Sequence, residues 1–150
     1  MALRESFTEA LKAAMKSGQT ARTSTLRMIL AGLKDVDIAA RPKDPVPEAE
    51  ILALLRRMVK SRQESVVLYR QGNRLDLVDK EASEIKVIEE FLPPEMNARE
   101  LAQAVDKAIA ETGAAGPRDT GKVMAALKAA FPGRIDLSRA AQLLKARLQS

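Results

Sequence analysis

Gly116-Pro-Arg-Asp-Thr-Gly121-Lys122-Val123 comes close to a phosphate-cradling loop. In that motif, G-x-x-x-x-G-K-[ST], backbone amides surround the phosphates, the lysine reaches the outer ones and the hydroxyl holds magnesium. Here Val123 supplies no hydroxyl and Pro117 removes one amide donor. The residues before Gly116 show no strand pattern, although the motif needs strand, loop and helix in that order. The segment is therefore not read as a nucleotide site. Gly121 is expected instead to let a helix or an RNA backbone come close. The chain has no histidine and no cysteine. This excludes histidine general bases, Ser-His and Cys-His triads, thiol nucleophiles, Cys/His zinc sites and disulfides. No catalytic residue, metal site or cofactor is expected.

A second group of residues stands out by position. At about 100° per residue, several charges fall within helical apolar stripes. Arg22 and Asp37 lie in the stripe of a second helix, Arg62 near the middle of a third, and Glu81 and Glu89 enter or flank that of a fourth. Burying such charges is costly unless they are paired. Two readings follow: interhelical salt bridges that set register, or a partner or ligand site between helices.

The third group is basic. The formal net charge is +5. Residues 117–150 hold seven cations, Arg118, Lys122, Lys128, Arg134, Arg139, Lys145 and Arg147, against two acids, Asp119 and Asp136. Residues 1–116 hold 18 of each sign, so the whole excess lies near the end of the chain. A confined positive patch is the footprint of phosphate binding. Phe131 is the one aromatic beyond the double proline, so base stacking cannot be the main mode and contacts should be to backbone and shape. Arg56-Arg57-Met-Val-Lys60-Ser-Arg62 is a further basic run, read as a solvated face, with an extension of the RNA surface as the alternative.

The elements that must position these residues are helical. Apolar residues make up 46% of the chain and aromatics 3%, so the core is aliphatic and suits packed helices. Breakers at Gly18, Arg41–Pro47, Gly72, Pro93-Pro94, Gly113–Pro117 and Pro132-Gly133 separate seven helical stretches. The spacing predicts helices over about 3–17, 20–40, 47–70 and 75–91, with Pro47 in the first turn of the third. Beyond the double proline a helix starts at Asn97, with Glu100 as its capping-box partner, and ends at Gly113. The sixth covers about 118–130, and Asp136 caps the seventh, whose stripe is Leu137, Ala140, Ala141, Leu144 and Leu148. No alternating run of strand length and no fixed-period repeat occurs. The expected architecture is all-α, with an N-terminal four-helix domain over 1–92 and a C-terminal three-helix domain over 95–150. The charged N-terminal stretch lacks an apolar signal core, and no uncharged run approaches the roughly 18 residues of a membrane span. The expectation is a cytoplasmic protein that does not engage membranes.

Four segments carry a family resemblance: Arg22-Thr-Ser-Thr-Leu-Arg-Met-Ile-Leu, Lys60-Ser-Arg-Gln-Glu-Ser, Glu84-Ile-Lys-Val-Ile-Glu-Glu-Phe-Leu-Pro93 and Gly121-Lys-Val-Met-Ala-Ala-Leu. In this order they resemble the GatB/YqeY family over essentially the whole chain, at the level of a stand-alone YqeY-like protein. The resemblance implies a four-helix unit joined to a three-helix tail. The tail is similar to that of the B subunit of glutamine-dependent aspartyl/glutamyl-tRNA amidotransferase. In that enzyme the tail contacts tRNA, while phosphorylation and amide transfer take place in a separate catalytic domain that has no counterpart here. One stretch departs from the family pattern: Phe131-Pro-Gly-Arg-Ile-Asp136 replaces a charged, glycine-rich connection.

Three functions follow as expectations. The first is an accessory protein binding tRNA or another structured RNA through the seven C-terminal cations. The second is a homologue or subunit with carbon–nitrogen ligase activity using glutamine as amido-N donor, which needs an ATP site and an ammonia source. The third is a protein-interaction module that docks an aminoacyl-tRNA synthetase or amidotransferase subunit, with Arg62 as an exposed anchor.

Overall fold

The structure is a computed structural model that describes residues 2–149. Among the described residues it consists of seven α-helices and one 3-10 turn, with no strand. The helices are α1 (Leu3–Lys16), α2 (Thr20–Ala39), α3 (Glu48–Gln71), α4 (Leu75–Glu89), α5 (Ala98–Thr112), α6 (Thr120–Ala130) and α7 (Leu137–Leu148). They form two compact units, divided between Leu92 and Pro93.

In the first unit the apolar stripes close on one another. Phe7 of α1, Leu26, Ile29 and Leu33 of α2, Ile51, Leu54, Leu55 and Val59 of α3, and Val87 and Ile88 of α4 make its core. Phe7 is fully buried and meets the ring of Phe91 edge to face, centroids 5.0 Å apart at 77°. That geometry sets the positive ring edge against the negative face. It also explains why α4 stops at Glu89, two residues before the expected end: Phe91 turns back into the core, half-buried, before the double proline. Pro47 lies just outside α3, in extended backbone (φ −72°, ψ 165°), and is not in its first turn. α3 and α4 form a hairpin around Gly72-Asn73-Arg74, where Asn73 takes the left-handed conformation (φ 56°).

In the second unit Asn97 and Glu100 form a reciprocal capping box, with Glu100 N donating to Asn97 Oδ1 at 2.8 Å and Asn97 N to Glu100 Oε1 at 3.1 Å. Gly113 ends α5 in the left-handed conformation (φ 67°), which a side chain would strain. The core is Leu101, Ala104, Val105 and Ala108 against Val123, Leu127, Ile135, Ala140, Leu144 and Leu148. Ala141, expected on the stripe of α7, is exposed. The loop that departs from the family pattern is tied into this core. Ile135 is buried, Arg134 Nε donates to Pro94 O at 3.0 Å, and Met96 N donates to Arg134 O at 2.7 Å.

Candidate nucleic-acid interface

The near-match to a phosphate loop has its own acid where the phosphate would sit. Pro117–Asp119 forms a 3-10 turn, so α6 begins at Thr120, not at Arg118. The Asp119 carboxylate accepts from Ala115 N at 2.8 Å and from Gly116 N at 3.4 Å. These amide bonds, ahead of the nearby Lys122 and Arg118 charges, hold Asp119 below the usual carboxylate range. An anion approaching those amides would meet a carboxylate already seated on them. Nothing in the chain approaches Gly121, and a Cβ there would meet open space. Close helix packing therefore does not account for that glycine.

The seven cations divide into two sets. Arg134 reaches Glu100 at 3.9 Å and Arg139 reaches Asp136 at 3.7 Å, while Arg147 pairs closely with Asp106. Arg118, Lys122, Lys128 and Lys145 are exposed, and no ion pair among the described residues takes them up. On α6, Lys122 and Lys128 lie on either side of the line opposite the buried Val123 and Leu127. They are about 120° apart around the axis and about 9 Å along it. Arg139 and Lys145 straddle the outer line of α7 in the same way. The cations thus spread across the outward arcs of both helices and do not form one ridge. The acids that engage Arg134 and Arg147 come from α5, which the charge count over 117–150 leaves out. Counted from Pro93, the unit has nine basic and six acidic residues, a net +3.

In the first unit each stripe arginine or aspartate meets a partner outside its own helix. Asp37 receives both guanidinium nitrogens of Arg4 (2.8 and 2.9 Å) and the amide of Val46 (2.9 Å). The Arg4 bonds first, then Val46, lower its pKa to about 2. Arg22 Nη1 lies 2.5 Å from Glu90 Oε2, just past the end of α4. Arg62 is 15% exposed and faces Glu84, which is 11% exposed, at 3.7 Å. It also donates to Met58 O at 3.1 Å and to Met28 Sδ at 3.5 Å, while its Nε has no hydrogen-bond partner. Arg62 is therefore turned inward, not presented as an anchor. Of the α4 acids singled out above, Glu81 is half-buried and Glu89 exposed, and the acid buried beside Arg62 is Glu84. Its signal was its register, three residues before Val87 and four before Ile88. Arg4 and Glu90 gave no such signal, because they lie at or beyond helix ends.

Among the described residues no group of three or more His, Cys, Asp or Glu side chains could hold a metal ion, and no helix is long and apolar enough to cross a membrane. Fold and sequence together define an all-α protein of two helical units, the second of which carries a net positive charge. Residues 4–148 match the model of the Yqey-like protein family, and the chain belongs to that family. It is 34% identical over 80 residues to an uncharacterized protein of Schizosaccharomyces pombe, a match covering 53% of this chain and 63% of that protein. Altered inheritance of mitochondria protein 41, mitochondrial, of Lachancea thermotolerans is 35% identical over 82 residues, covering 55% of this chain and 43% of the relative. The protein of the same name in Pyrenophora tritici-repentis is 28% identical over 126 residues, covering 83% and 68%. The first two matches thus span only about half of those relatives' length. These names overturn the cytoplasmic placement expected from the sequence: several of the similar proteins are named as mitochondrial. Lack of cysteine and a charged first helix suit any reducing compartment, and the composition of a folded domain carries no address.

Proposed function

We propose that this protein is a non-catalytic accessory that binds tRNA or another structured RNA through its C-terminal unit. The observation that carries this reading is the outward placement of Arg118, Lys122, Lys128 and Lys145 on a unit of net positive charge, without ion pairs to neutralise them. Such a surface recognises phosphates by charge and shape, so affinity is modest and sequence preference slight. The resemblance of this unit to a tail that contacts tRNA supports the same ligand. Carbon–nitrogen ligase chemistry finds no support in the site, since the loop whose sequence resembles a phosphate cradle forms a 3-10 turn with the Asp119 carboxylate on the amides of Ala115 and Gly116.

Titration of labelled tRNA against the protein at several salt concentrations tests the proposal. Each phosphate neutralised on duplex RNA contributes about −0.9 to the slope of log K against log salt, taking the duplex-DNA value. Four engaged cations give a slope of roughly −3.5 and all seven roughly −6. The division between paired and unpaired cations favours the smaller value. Substituting Lys122 and Lys128 by Gln lowers the slope by about 2. No binding at low salt, or binding indifferent to salt, refutes the proposal. Amidation of mischarged tRNA by the purified chain would refute its non-catalytic part.

A further inference from the structure

Arg62 of α3 reaches both α2 and α4, and it is short of good acceptors. Nη1 donates to Met58 O at 3.1 Å. Glu84 Oε1 stands 3.7 Å from Nε, too far for a hydrogen bond, and Nε is buried without a hydrogen-bond partner. Toward α2, Nη2 has only a thioether, Met28 Sδ at 3.5 Å, and thioether sulfur is a weak acceptor. A buried N–H left unmet is costly. Nε and Nη2 share one edge of the planar guanidinium fork, so a stronger acceptor on Met28 would face both. Met28 is also within reach of solutes. It is 36% exposed and Met15 is 51% exposed, while Met58, Met96 and Met124 are half-buried. Met15 Sδ accepts from Arg27 Nη2 at 3.8 Å, but Arg27 is exposed and has water as an alternative. Met28 alone joins an open sulfur to a buried, under-satisfied cation.

We propose that Met28 is a site of reversible oxidation whose sulfoxide is held by Arg62, fastening α2 to α3. The oxidant is a hydroperoxide. A lone pair of Met28 Sδ attacks its terminal oxygen; an S–O bond forms and the O–O bond breaks. The proton on the transferred oxygen passes to the departing one, which leaves as water or an alcohol. Sulfur is oxidised by two electrons and the peroxide reduced by two. The unbranched Met28 side chain has free rotation about its terminal bonds, so the new oxygen can swing onto the guanidinium without movement of either helix. There it accepts a charge-assisted hydrogen bond where the sulfur accepted a weak one. Methionine oxidation ordinarily loosens a fold by placing a polar group among apolar ones. At Met28 the sign reverses, because the neighbour is a cation in need of an acceptor. Two external thiols reverse the step: the oxygen leaves as water and the thiols become a disulfide. The chain has no cysteine of its own to supply them.

The test treats the full chain with dilute hydrogen peroxide and follows each methionine by peptide mass spectrometry. Thermal unfolding of the product is followed by the fluorescence of Tyr69, which reports on the first unit. Met28 and Met15 should gain oxygen ahead of Met58, Met96 and Met124. At that stage the midpoint should rise by about 4–8 °C, the shift that one added hydrogen bond gives a unit of this size. Met15→Leu should keep the rise, and Arg62→Leu with Glu84→Leu should abolish it. Without any oxidant, Met28→Gln, whose amide oxygen stands in for the sulfoxide oxygen, should melt above Met28→Leu. Methionine sulfoxide reductase with a thiol should return the oxidised parent to its starting midpoint. A Met28 that stays reduced while the half-buried methionines oxidise overturns the proposal. So does a midpoint that is unchanged or lowered, or an equal rise in the variant without Arg62 and Glu84.

Discussion

Arg62 and Glu84 offer the sharpest test of how the first unit is held together. Both side chains are nearly buried, at 15% and 11% exposure, and each is the other's charged partner across the α3–α4 seam. Arg62→Met leaves Glu84 as a buried carboxylate without its cation. Removing one member of a buried pair costs about 3–5 kcal/mol. The separation of 3.7 Å and the unbonded Arg62 Nε argue for the lower end, about 3 kcal/mol. Glu84→Leu strands the guanidinium, which keeps its bonds to Met58 O and Met28 Sδ, so its cost is smaller, about 2 kcal/mol. The double variant, Arg62→Met with Glu84→Leu, replaces the pair by apolar groups of similar size and should lie within about 1 kcal/mol of the parent. The coupling energy of the cycle is then at least about 4 kcal/mol. Urea unfolding measures it, followed by helical ellipticity and by the fluorescence of Tyr69, which lies in α3 and is the one tyrosine in the chain. In thermal unfolding the Arg62→Met loss corresponds to about 12–24 °C for a unit of this size. Single variants that each cost under about 0.5 kcal/mol, as exposed pairs do, or costs that simply add in the double variant, would refute the claim that these charges are buried and interdependent.

Two further outcomes follow from the geometry. Asp37 has its pKa lowered from 3.8 to about 2, so its contribution is complete above the ordinary carboxylate range and is lost as pH falls through about 2. Asp37→Asn should lower the thermal midpoint at pH 7, and the gap from the parent should close on acidification from about pH 4 to about pH 2. A gap constant over that window contradicts the assignment. Gly113 and Gly121 should separate cleanly. Gly113→Ala forces a side chain into a left-handed position (φ 67°) and costs about 1 kcal/mol. Gly121→Ala adds a Cβ facing open space in the first turn of α6 and leaves stability equal or up to about 0.5 kcal/mol higher. Equal losses at the two sites in a thermal melt would show that backbone conformation is not what distinguishes them.

Sequence alone determined the helices, because their signals are local. Apolar spacing places a stripe, Asn97 with Glu100 makes a cap from side chains three residues apart, and Gly113 takes a left-handed conformation that most side chains would strain. Local signals also located the cationic residues and the charges inside the stripes. Partners were another matter. Asp37 finds Arg4 33 residues away, Arg22 finds Glu90 68 away, and the second unit's Arg147 finds Asp106 on α5. Nothing in a helical wheel reveals which two wheels will touch, or that an acid outside the counted segment will neutralise a cation within it. Packing of the helices decided those pairings, and with them which cations stay exposed to a phosphate and which are taken. The fold-back of Asp119 onto the amides of Ala115 and Gly116 is, by contrast, a local contact over three and four residues, made by the 3-10 turn of Pro117–Asp119.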